Sequence, residues 1–479
     1  MSQWGARGYA LHHWTWERIL AHYYPGTAVS STANVTVRVL LAASQSSGTV
    51  ACPSGFRVGD ATGRVWKIPP ATYGLGPALV VHGRRLQSPA AFYCDGAPVQ
   101  WDGRAYHGVL VVWSGGGRLA VVDSVDLEDY VRGVIADEMP HRWPLEALEA
   151  QAVAARSYAL ATSHPDRRFD LYADDRSQMY GGVGAETPST LYAASQTEGR
   201  ILTYDGRVAT TYFFSTSGGR TADVRDVWPK LGAVPYLRSV RDPYDTGSPV
   251  HTWAFALSAQ LLAARLGIPF GKLHVVRNGS GRVTALELGH VRISGERVMH
   301  LLHLRSTWFG FGELSLTGAR PMVVFGRKVA LVASARGFHN ASLQELTGSG
   351  WKTVRRIPAA GRVLVRPRAY TIYRLTEGRV RGPEVGVAVE PFVRAHITTR
   401  TLLSGRVVPR ASGVVTVLRF VAGGWRVVAH PRLDARGVFH TPLRLRPGGY
   451  RIDVAGGARL AHVSHTVRVT SRILASLHH

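Results

Sequence analysis

The stretch that decides the fold of this chain spans residues 125–160 and reads VDLEDYVRGVIADEMPHRWPLEALEAQAVAARSYAL. Apolar residues recur there at spacings of three and four, which predicts an α-helix with one buried face, and Asp126 is a suitable N-cap for it. Pro140 ends the helix. Because a proline disfavours the α conformation in the residue before it, Met139 should be extended and Glu138 should lie in the last turn.

A second helix is predicted to begin at Pro144 and to run to about Ser163. One of its faces carries small and apolar side chains, at Leu145, Leu148, Ala152, Ala155 and Ala159. Arg156 lies beside this face on the helical net, so we expect it to be half-buried and to need an acidic partner or an anionic ligand. Structural ion pairing is the more common explanation for such an arginine.

Glu138 is the candidate catalytic acid of this stretch. The negative end of the helix dipole and burial in a cleft both disfavour a charged carboxylate, so both raise its pKa, and a general acid requires that. A solvated surface charge is the alternative. Asp137 is the neighbouring rival, but consecutive helical residues point about 100° apart, so at most one of the two faces a given cleft.

A second candidate cluster is TTYFFSTSGGRT, residues 210–221. Residues 212–214 are predicted to form a strand. The Ser-Gly-Gly segment after it, with Ser215 and Ser217, predicts a tight loop that exposes backbone amides and hydroxyls. A turn that binds nothing has the same sequence pattern.

Composition limits the function classes. The chain has 479 residues, enough for two to four domains, and 57 Lys plus Arg against 32 Asp plus Glu give a net charge of +25. Such a charge suits an anionic wall, a membrane surface or nucleic acid. Only five of the basic residues are lysines, a bias of GC-rich genomes, and no nucleic-acid-binding motif accompanies them. We therefore expect no nucleic-acid partner.

The two cysteines, Cys52 and Cys94, lie in a Gly- and Val-rich region before the predicted helices. In an extracytoplasmic protein they are expected to form one disulfide, whereas two free buried thiols are the alternative. Residues 1–20 lack the apolar segment of a signal peptide, and no run of about 18 apolar residues predicts a transmembrane helix.

The sequence resembles the stage II sporulation protein D / LytB amidase-enhancer family, in its actinobacterial form. The resemblance covers about residues 123–309 and is carried by DLEDYVRGVIADEMP, FDLYADDRSQMYGGVGAETP, TEGRILTYDGR, TYFFSTSGGRTADV, PYLRSVRDPYD and LRSTWF. It implies a lytic transglycosylase that acts on peptide-stripped peptidoglycan, with Glu138 of the EMP motif as the acid. It also implies that Gln178, Tyr180 and the Ser-Gly-Gly loop lie near the cleft, where Ser215 and Ser217 are candidate ligands of the sugar. Simple loop packing is an equal alternative for Gln178 and Tyr180.

This sequence departs from the family at its metal motif. Zinc-binding members carry two cysteines and a histidine after Phe-Asp, and here Tyr172, Arg176 and Ser177 replace them. A tetrahedral zinc site needs those thiolate and imidazole donors, so we expect no such site and no cofactor. Asp174 and Asp175 could hold a hard cation, but adjacent carboxylates are more often a solvated turn.

The opening, MSQWGARGYALHHWTWERILAHYYPGT, resembles a family segment that usually follows a glycine-rich run, so we expect a truncated start. The predicted fold class is α+β, with a mixed helix-and-sheet catalytic core, a β-rich insert and C-terminal immunoglobulin-like β-sandwich modules. Two stretches that begin at Gly348 and Ala422 resemble copies of one β unit. The predicted segments are an opening (1–45), the insert (46–122), the core (123–318) and two β-rich modules (319–400 and 401–479).

Together these features predict a secreted or wall-associated lytic transglycosylase that cleaves between N-acetylmuramic acid and N-acetylglucosamine and leaves 1,6-anhydro ends. The predicted site is Glu138 with Arg156, Gln178, Tyr180 and the Ser-Gly-Gly serines, without metal. The alternative is a glycan-binding protein without catalytic activity that enhances a cell-wall N-acetylmuramoyl-L-alanine amidase. Glycan strands and such an amidase are the expected partners.

Overall fold

The computed structural model describes residues 1–164, 167–268, 274–288, 290–318, 322–357, 360–410 and 414–477. The chain forms two compact units. Unit 1 comprises Met1–Thr252 and Val276–Ala285, and unit 2 comprises Trp253–Val275 and Leu286–His479. Helices and strands both occur, which is compatible with the α+β class, and strands predominate.

Unit 1 carries the predicted helical stretch. Its helices are α1 (Gln3–Leu11), α2 (Trp16–Tyr23), α3 (Leu127–Glu138), α4 (Leu145–Ala161), α5 (Pro188–Gln196) and α6 (Val224–Val227). Its strands are β1 (Ala28–Ser31), β2 (Thr36–Gln45), β3 (Gly48–Cys52), β4 (Phe56–Gly59), β5 (Val65–Ile68), β6 (Ala71–Leu75), β7 (Val80–Val81), β8 (Arg84–Arg85), β9 (Ala90–Cys94), β10 (Val99–Trp101), β11 (Arg104–Tyr106), β12 (Val109–Gly115), β13 (Arg118–Asp126), β14 (Leu171–Tyr172), β15 (Arg200–Tyr204) and β16 (Arg207–Val208).

Two sheets position the helices of unit 1. A seven-stranded sheet has the order β14-β2-β13-β12-β9-β4-β5, and a four-stranded sheet has the order β11-β10-β3-β6. Strand β13 leads directly into α3, so the sheet fixes where that helix begins. A disulfide joins Cys52 at the end of β3 to Cys94 at the end of β9, with Cα atoms 5.6 Å apart, and so links the two sheets.

One hydrophobic core serves the whole of residues 1–209. Buried side chains from α1 and α2, from both sheets and from α3 and α4 belong to a single cluster. The proposed boundary between residues 122 and 123 falls inside β13. The opening segment, the strand-rich residues 46–122 and the predicted helical stretch therefore pack as one body.

Local geometry at α3 and α4 corrects two details of the sequence analysis. Asp126 occupies the N-cap position of α3, but its side chain makes no capping hydrogen bond. The first-turn amides of α3 instead bond to chain that precedes β2: Leu127 donates to the Val35 carbonyl over 2.8 Å and Glu128 to the Asn34 side chain over 3.3 Å. Helix α4 begins one residue after Pro144 and ends at Ala161.

The predicted strand at residues 212–214 is also wrong. Only an isolated bridge between Ser2 and Phe214 forms there. The rings of Tyr212 and Phe213 pack against Tyr158 of α4, Phe214 is exposed, and no strand that the structure describes pairs with the segment.

The remaining elements follow in chain order. The helices are α7 (Ala259–Leu266), α8 (Gly295–Leu302) and α9 (Ser471–Ala475). The strands are β17 (His274–Arg277), β18 (Val283–Leu288), β19 (Val291–Ser294), β20 (Glu313–Gly318), β21 (Met322–Val324), β22 (Val329–Arg336), β23 (Ser342–Thr347), β24 (Gly350–Arg356), β25 (Ala360–Val365), β26 (Thr371–Glu377), β27 (Val380–Arg381), β28 (Val385–Glu390), β29 (Phe392–Thr399), β30 (Leu402–Val408), β31 (Val415–Val421), β32 (Gly424–Ala429), β33 (Val438–Pro442), β34 (Gly448–Val454) and β35 (Val463–Val469).

Unit 2 contains two cores, and seven of the described strands around each share one connectivity, while β21 and β27 occur only around the first. The first lies between sheets of order β20-β22-β25 and β21-β28-β26-β23-β24, and the second between β29-β30-β33 and β32-β31-β34-β35. Each has a hairpin whose second strand begins with Gly-Trp, at residues 350–351 and 424–425. These second strands, β24 and β32, lie at the start of the two stretches whose sequences resemble each other, which continue into β26 and β34. Residues 358–359 of the first stretch and the proposed boundary at residue 319 lie outside the described residues.

Candidate functional site

Glu138 is the last residue of α3, as the sequence predicts. Met139 after it is extended, with φ −129° and ψ 139°, and its amide closes the helix on the Ile135 carbonyl. The side chain of Asp137 is exposed, whereas Glu138 is half-buried. The helix therefore directs only one of the two adjacent carboxylates into the protein.

Two donors from distant parts of the chain hold the Glu138 carboxylate. The side-chain amide Nε2 of Gln3 donates to Oε2 over 3.0 Å, and the backbone N–H of Met179 donates to Oε1 over 2.8 Å. Each carboxylate oxygen thus receives one hydrogen bond. This fixes the orientation of the group and leaves further lone pairs that can accept from a substrate hydroxyl or, in the protonated acid, carry the proton that is donated to a glycosidic oxygen.

The pKa of Glu138 is raised above its usual value. Burial is the main cause, since it disfavours the charged form, and the negative charge of Asp137 acts in the same direction. The hydrogen bonds from Met179 and Gln3 stabilise the charged form and limit the rise. A carboxyl group in this setting retains its proton to higher pH than an exposed glutamate, which is the property of a general acid.

Helix α1 brings Gln3 to the site because two glycines let it approach closely. A Cβ atom on Gly5 would lie 2.0 Å from the Tyr23 hydroxyl oxygen, and one on Gly8 would lie 2.0 Å from the Tyr244 carbonyl oxygen. Any side chain at these positions would push α1 outward. The amides of Gln3 and the next residue also donate to the carbonyls of residues 214 and 215, over 2.9 and 3.0 Å.

The loop that presents the Met179 amide also contains Tyr172, Arg176 and Ser177. Arg176 forms a bidentate ion pair with Asp174, at 2.8 and 2.6 Å, and its guanidinium lies 3.9 Å from the Tyr172 ring centroid. The Ser177 hydroxyl accepts the Tyr172 amide over 3.1 Å. In the described part of the chain, no group of three or more His, Cys, Asp or Glu side chains is arranged to hold a metal ion.

Arg156 is fully buried, deeper than the half-burial expected from the helical net. Its Nε and one terminal nitrogen donate to the Glu128 carboxylate over 2.8 and 2.7 Å, and the other terminal nitrogen donates to the Arg200 carbonyl over 2.9 Å. Arg156 therefore makes a structural ion pair with Glu128, which is the more common explanation for such an arginine. The guanidinium ties α4 to α3 and to β15, and it does not face solvent where a glycan could reach it.

Gln178 and Tyr180 are likewise buried beneath the loop. The Gln178 amide donates to the Tyr130 hydroxyl over 3.1 Å and to the Ala155 carbonyl over 3.3 Å. The Tyr180 hydroxyl donates to Asp123 over 2.8 Å. Gln178 and Tyr180 lie on either side of Met179, so their buried contacts help to hold the backbone amide that donates to Glu138. Both side chains pack within the protein, as the alternative of simple loop packing expects.

The Ser-Gly-Gly loop is built around Asp245. The Ser217 hydroxyl and the Gly218 amide both donate to Asp245 Oδ2, over 3.0 and 2.6 Å, while Asp245 Oδ1 lies 2.6 Å from His251 Nδ1. Ser217 is therefore buried and occupied. Ser215 is exposed, and its carbonyl accepts the amide of Trp4, so of the two serines it is the one available to a ligand.

Comparison with known proteins places the chain in a family. The family model described as "Stage II sporulation protein" matches residues 115–204. The stage II sporulation protein D of Bacillus amyloliquefaciens is 32% identical over 252 residues, which cover 43% of this chain and 71% of that protein. The chain belongs to the stage II sporulation protein D family.

Other relatives are matched over smaller parts of their length. The stage II sporulation protein D of Bacillus subtilis (strain 168) is 32% identical over 186 residues, 52% of that protein. The protein named amidase enhancer from the same organism is 35% identical over 168 residues, 21% of that protein. A chain from the crystal structure of a mouse coronavirus receptor-binding domain complexed with its murine receptor aligns to 33% of this chain and 99% of its own length, at 10% identity and a TM-score of 0.16.

Proposed function

We propose that this chain is a peptidoglycan lytic transglycosylase in which Glu138 is the catalytic acid. The observation that carries the proposal is the half-buried carboxyl group at the end of α3, with a raised pKa and one hydrogen bond to each oxygen. The family membership supports the substrate class, because two relatives are named for sporulation and one for amidase enhancement.

One carboxyl group suffices for the proposed reaction. Protonated Glu138 gives its proton to the oxygen that links N-acetylmuramic acid to N-acetylglucosamine, and the bond from C1 to that oxygen breaks. The Glu138 carboxylate then takes the proton of the muramic acid 6-hydroxyl, and the 6-oxygen forms a bond to C1. The product is a 1,6-anhydro sugar, no water is consumed, and Glu138 is protonated again. The pair of carboxylates used by most glycosidases is therefore not required.

Mass spectrometry of the products tests the proposal. Purified peptide-stripped strands should give fragments lighter than hydrolysis products by one water, about 18 Da, and borohydride should not reduce their muramic ends, since an anhydro ring has no free aldehyde. Fragments with reducing ends would indicate a hydrolase and contradict the proposal.

A second candidate is an enhancer of a cell-wall amidase, and the 35% identity to a protein of that name favours it. An enhancer would release no glycan fragments alone, yet it would accelerate a partner N-acetylmuramoyl-L-alanine amidase even with Glu138→Gln. Amidase stimulation that survives this substitution, without glycan cleavage, would replace the first proposal by the second.

We also propose an extracytoplasmic or wall location. The disulfide between Cys52 and Cys94 persists best in an oxidising compartment, and the net charge of +25 suits an anionic wall. No helix in the described ranges is long and apolar enough to cross a membrane. Neither nucleic acid nor a cofactor is part of the proposed function. The absence of a cofactor from the proposal is supported by the ion pair of Arg176 with Asp174 and its contact with the Tyr172 ring, because these side chains offer no thiolate or imidazole donor for zinc.

The C-terminal modules are proposed to be immunoglobulin-like sandwiches that bind or space the wall. Each has a three-stranded sheet opposite a larger sheet around its own core, and seven strands of each share one connectivity, as expected for copies of one unit. The segment bounds of the sequence analysis remain proposals with them. The fold of these modules alone does not establish their role.

A further inference from the structure

Arg7 lies one helical turn from Gln3 on the same face of α1. Residues four apart on an α-helix are neighbours on its surface, so the guanidinium of Arg7 belongs to the surface next to the residue that binds Glu138. The other residues around Arg7 come from the turn after α3 and from the loop after Asp245. Three separate parts of the sequence therefore meet beside the proposed acid.

Two tryptophans form the floor under Arg7. The rings of Trp4 and Trp143 have centroids 4.8 Å apart at an interplanar angle of 59°. The Arg7 guanidinium lies 5.3 Å from the Trp4 centroid and 5.9 Å from the Trp143 centroid. Trp143 follows Glu138 by five residues, so this aromatic pair adjoins the end of α3.

The guanidinium of Arg7 has no protein acceptor among the described residues. Within those ranges it makes only the two ring contacts, with neither a carboxylate partner nor a hydrogen-bonded carbonyl. Its terminal nitrogen faces Gly247, where an added Cβ would lie 3.1 Å away, so the bare glycine leaves the donors accessible. A half-buried arginine with five unused donors is suited to bind a planar anion.

We infer that Arg7, over Trp4 and Trp143, forms a subsite that binds the lactyl carboxylate of a peptide-free muramic acid. This inference rests on the proposed function. Muramic acid carries a carboxyl group on its lactyl ether, and an attached stem peptide converts that group to a neutral amide. A guanidinium binds a carboxylate by two parallel charge-assisted hydrogen bonds and cannot form that pair with an amide. The ring faces of the tryptophans offer apolar contact to a sugar ring.

The subsite thus makes a chemical prediction about selectivity. Strands without peptides should bind in preference to strands with peptides because of charge at Arg7, and the preference should weaken at high salt, since exposed charges are screened. Glu138 plays no part in this discrimination, because it lies at the bond that breaks.

Calorimetric titration of a variant that cannot turn over its ligand tests the inference. In the Glu138→Gln background, the ligands are a muramic-acid-containing tetrasaccharide with free lactyl carboxylates and the same sugar with those groups converted to methyl amides. The free acid should bind at least about tenfold more tightly, as expected for hydrogen bonds between charged groups. Adding Arg7→Gln should remove that preference, and adding Arg7→Lys should retain part of it, because lysine keeps the charge without the fork of donors.

Arg18→Gln is the matched control. Arg18 lies over Trp14 at 3.8 Å on α2, so the substitution removes an arginine–tryptophan contact from a different helix. It should leave the preference for the free acid intact. If the sugars bind but the free acid and the methyl amide bind equally, or if the preference for the free acid survives Arg7→Gln, the inference is overturned. Failure of both sugars to bind would overturn the proposed function, and the inference with it.

Discussion

Replacing Asp123 by asparagine is expected to stabilise unit 1 at alkaline pH. Asp123 is fully buried on β13, where its Oδ2 accepts the Tyr180 hydroxyl over 2.8 Å and its Oδ1 has no hydrogen-bond partner. Burial raises the pKa of Asp123 to about 7, although the bond from Tyr180 opposes the rise. Asparagine has the same shape as the protonated acid and never ionises, so it should preserve the contact with Tyr180.

The magnitude follows from the difference between the folded and unfolded pKa values. A rise from 3.8 to about 7, at about 1.36 kcal/mol per pKa unit, corresponds to at most about 4 kcal/mol. Because the folded pKa is the higher one, the stability that Asp123 contributes is complete below pH 4 and is lost as the pH rises through 7. At pH 8 the asparagine variant should exceed the wild type by about 2–4 kcal/mol in free energy of unfolding, and near pH 4 the two should agree.

Urea unfolding at pH 4 and pH 8, read by pulsed hydrogen exchange of the peptide from residues 118–138, measures this. The local reading is needed because a chain of two units need not unfold in one step. Asp170→Asn is the control of opposite sign. Burial raises the pKa of Asp170, but the hydrogen bonds from Arg38 outweigh it and lower the value, so this variant should be destabilised at pH 8 and the difference should shrink as the pH falls. A wild type and an Asp123→Asn variant with the same pH dependence would refute the reasoning.

Three further predictions concern the surroundings of Glu138. Gln3→Met removes a donor to the charged form, so the pKa of Glu138 should rise further and the alkaline limb of the pH profile of kcat/KM should move to higher pH. Arg176→Ala breaks the ion pair with Asp174 that shapes the loop carrying Met179, so kcat/KM should fall at least a few-fold while the melting temperature changes little, since an exposed ion pair is worth about 0–1 kcal/mol. Treatment with a chelator should leave the melting temperature and the glycan cleavage unchanged, because this loop is closed by the Arg176 contacts.

Matched substitutions separate these effects from general damage. Gln344→Met removes a glutamine that accepts a hydrogen bond from Arg374 in unit 2, and it should leave the pH profile unchanged. Arg225→Ala removes an exposed ion pair with Asp223, comparable to that of Arg176, and should leave kcat/KM unchanged. An alkaline limb of the kcat/KM profile that does not move in Gln3→Met would contradict the first prediction. A zinc content of about one per chain, with loss of structure on chelation, would contradict the third.

The position of the acid was readable from the sequence because it depends on local rules. Helical spacing and Pro140 fix the end of α3, and they place Met139 in the extended region and Glu138 in the last turn. The same local rules identified Arg156 as an arginine that needs a partner. They did not identify Glu128 as that partner, because the pairing depends on how α3 and α4 pack.

The groups that bind Glu138 were not readable, since they are distant in sequence. Gln3 lies 135 positions away and acts through the placement of α1, and Met179 contributes a backbone amide, which has no side-chain signature. The close spacing of Gly5 and Gly8 in the opening segment is the one signal that could have indicated tight packing of that helix. Asp126 is the N-cap residue as predicted, but its side chain makes no capping bond for a related reason: the Asn34 side chain and the Val35 carbonyl, from a different segment, accept the first-turn amides of α3.

In the strand-rich part of the chain, too, local sequence predicted some features and not others. Gly-Trp at residues 350–351 and 424–425 marked two related units from local sequence, and in the structure seven strands of each share one connectivity. The disulfide expected between Cys52 and Cys94 is confirmed, and the two sheets bring these residues together across 42 positions. The aromatic run at residues 212–214 misled because half-buried side chains of an irregular segment can have the composition of a strand.

The most direct test of the central claim compares turnover of peptide-stripped glycan strands by the wild type, Glu138→Gln and Asp137→Asn. The two variants replace adjacent carboxylates by amides, one half-buried with two donors and one exposed. Glu138→Gln should abolish the release of anhydro-ended fragments while its melting temperature stays near that of the wild type, and Asp137→Asn should retain turnover. Anhydro products released by Glu138→Gln at the wild-type rate would contradict the account.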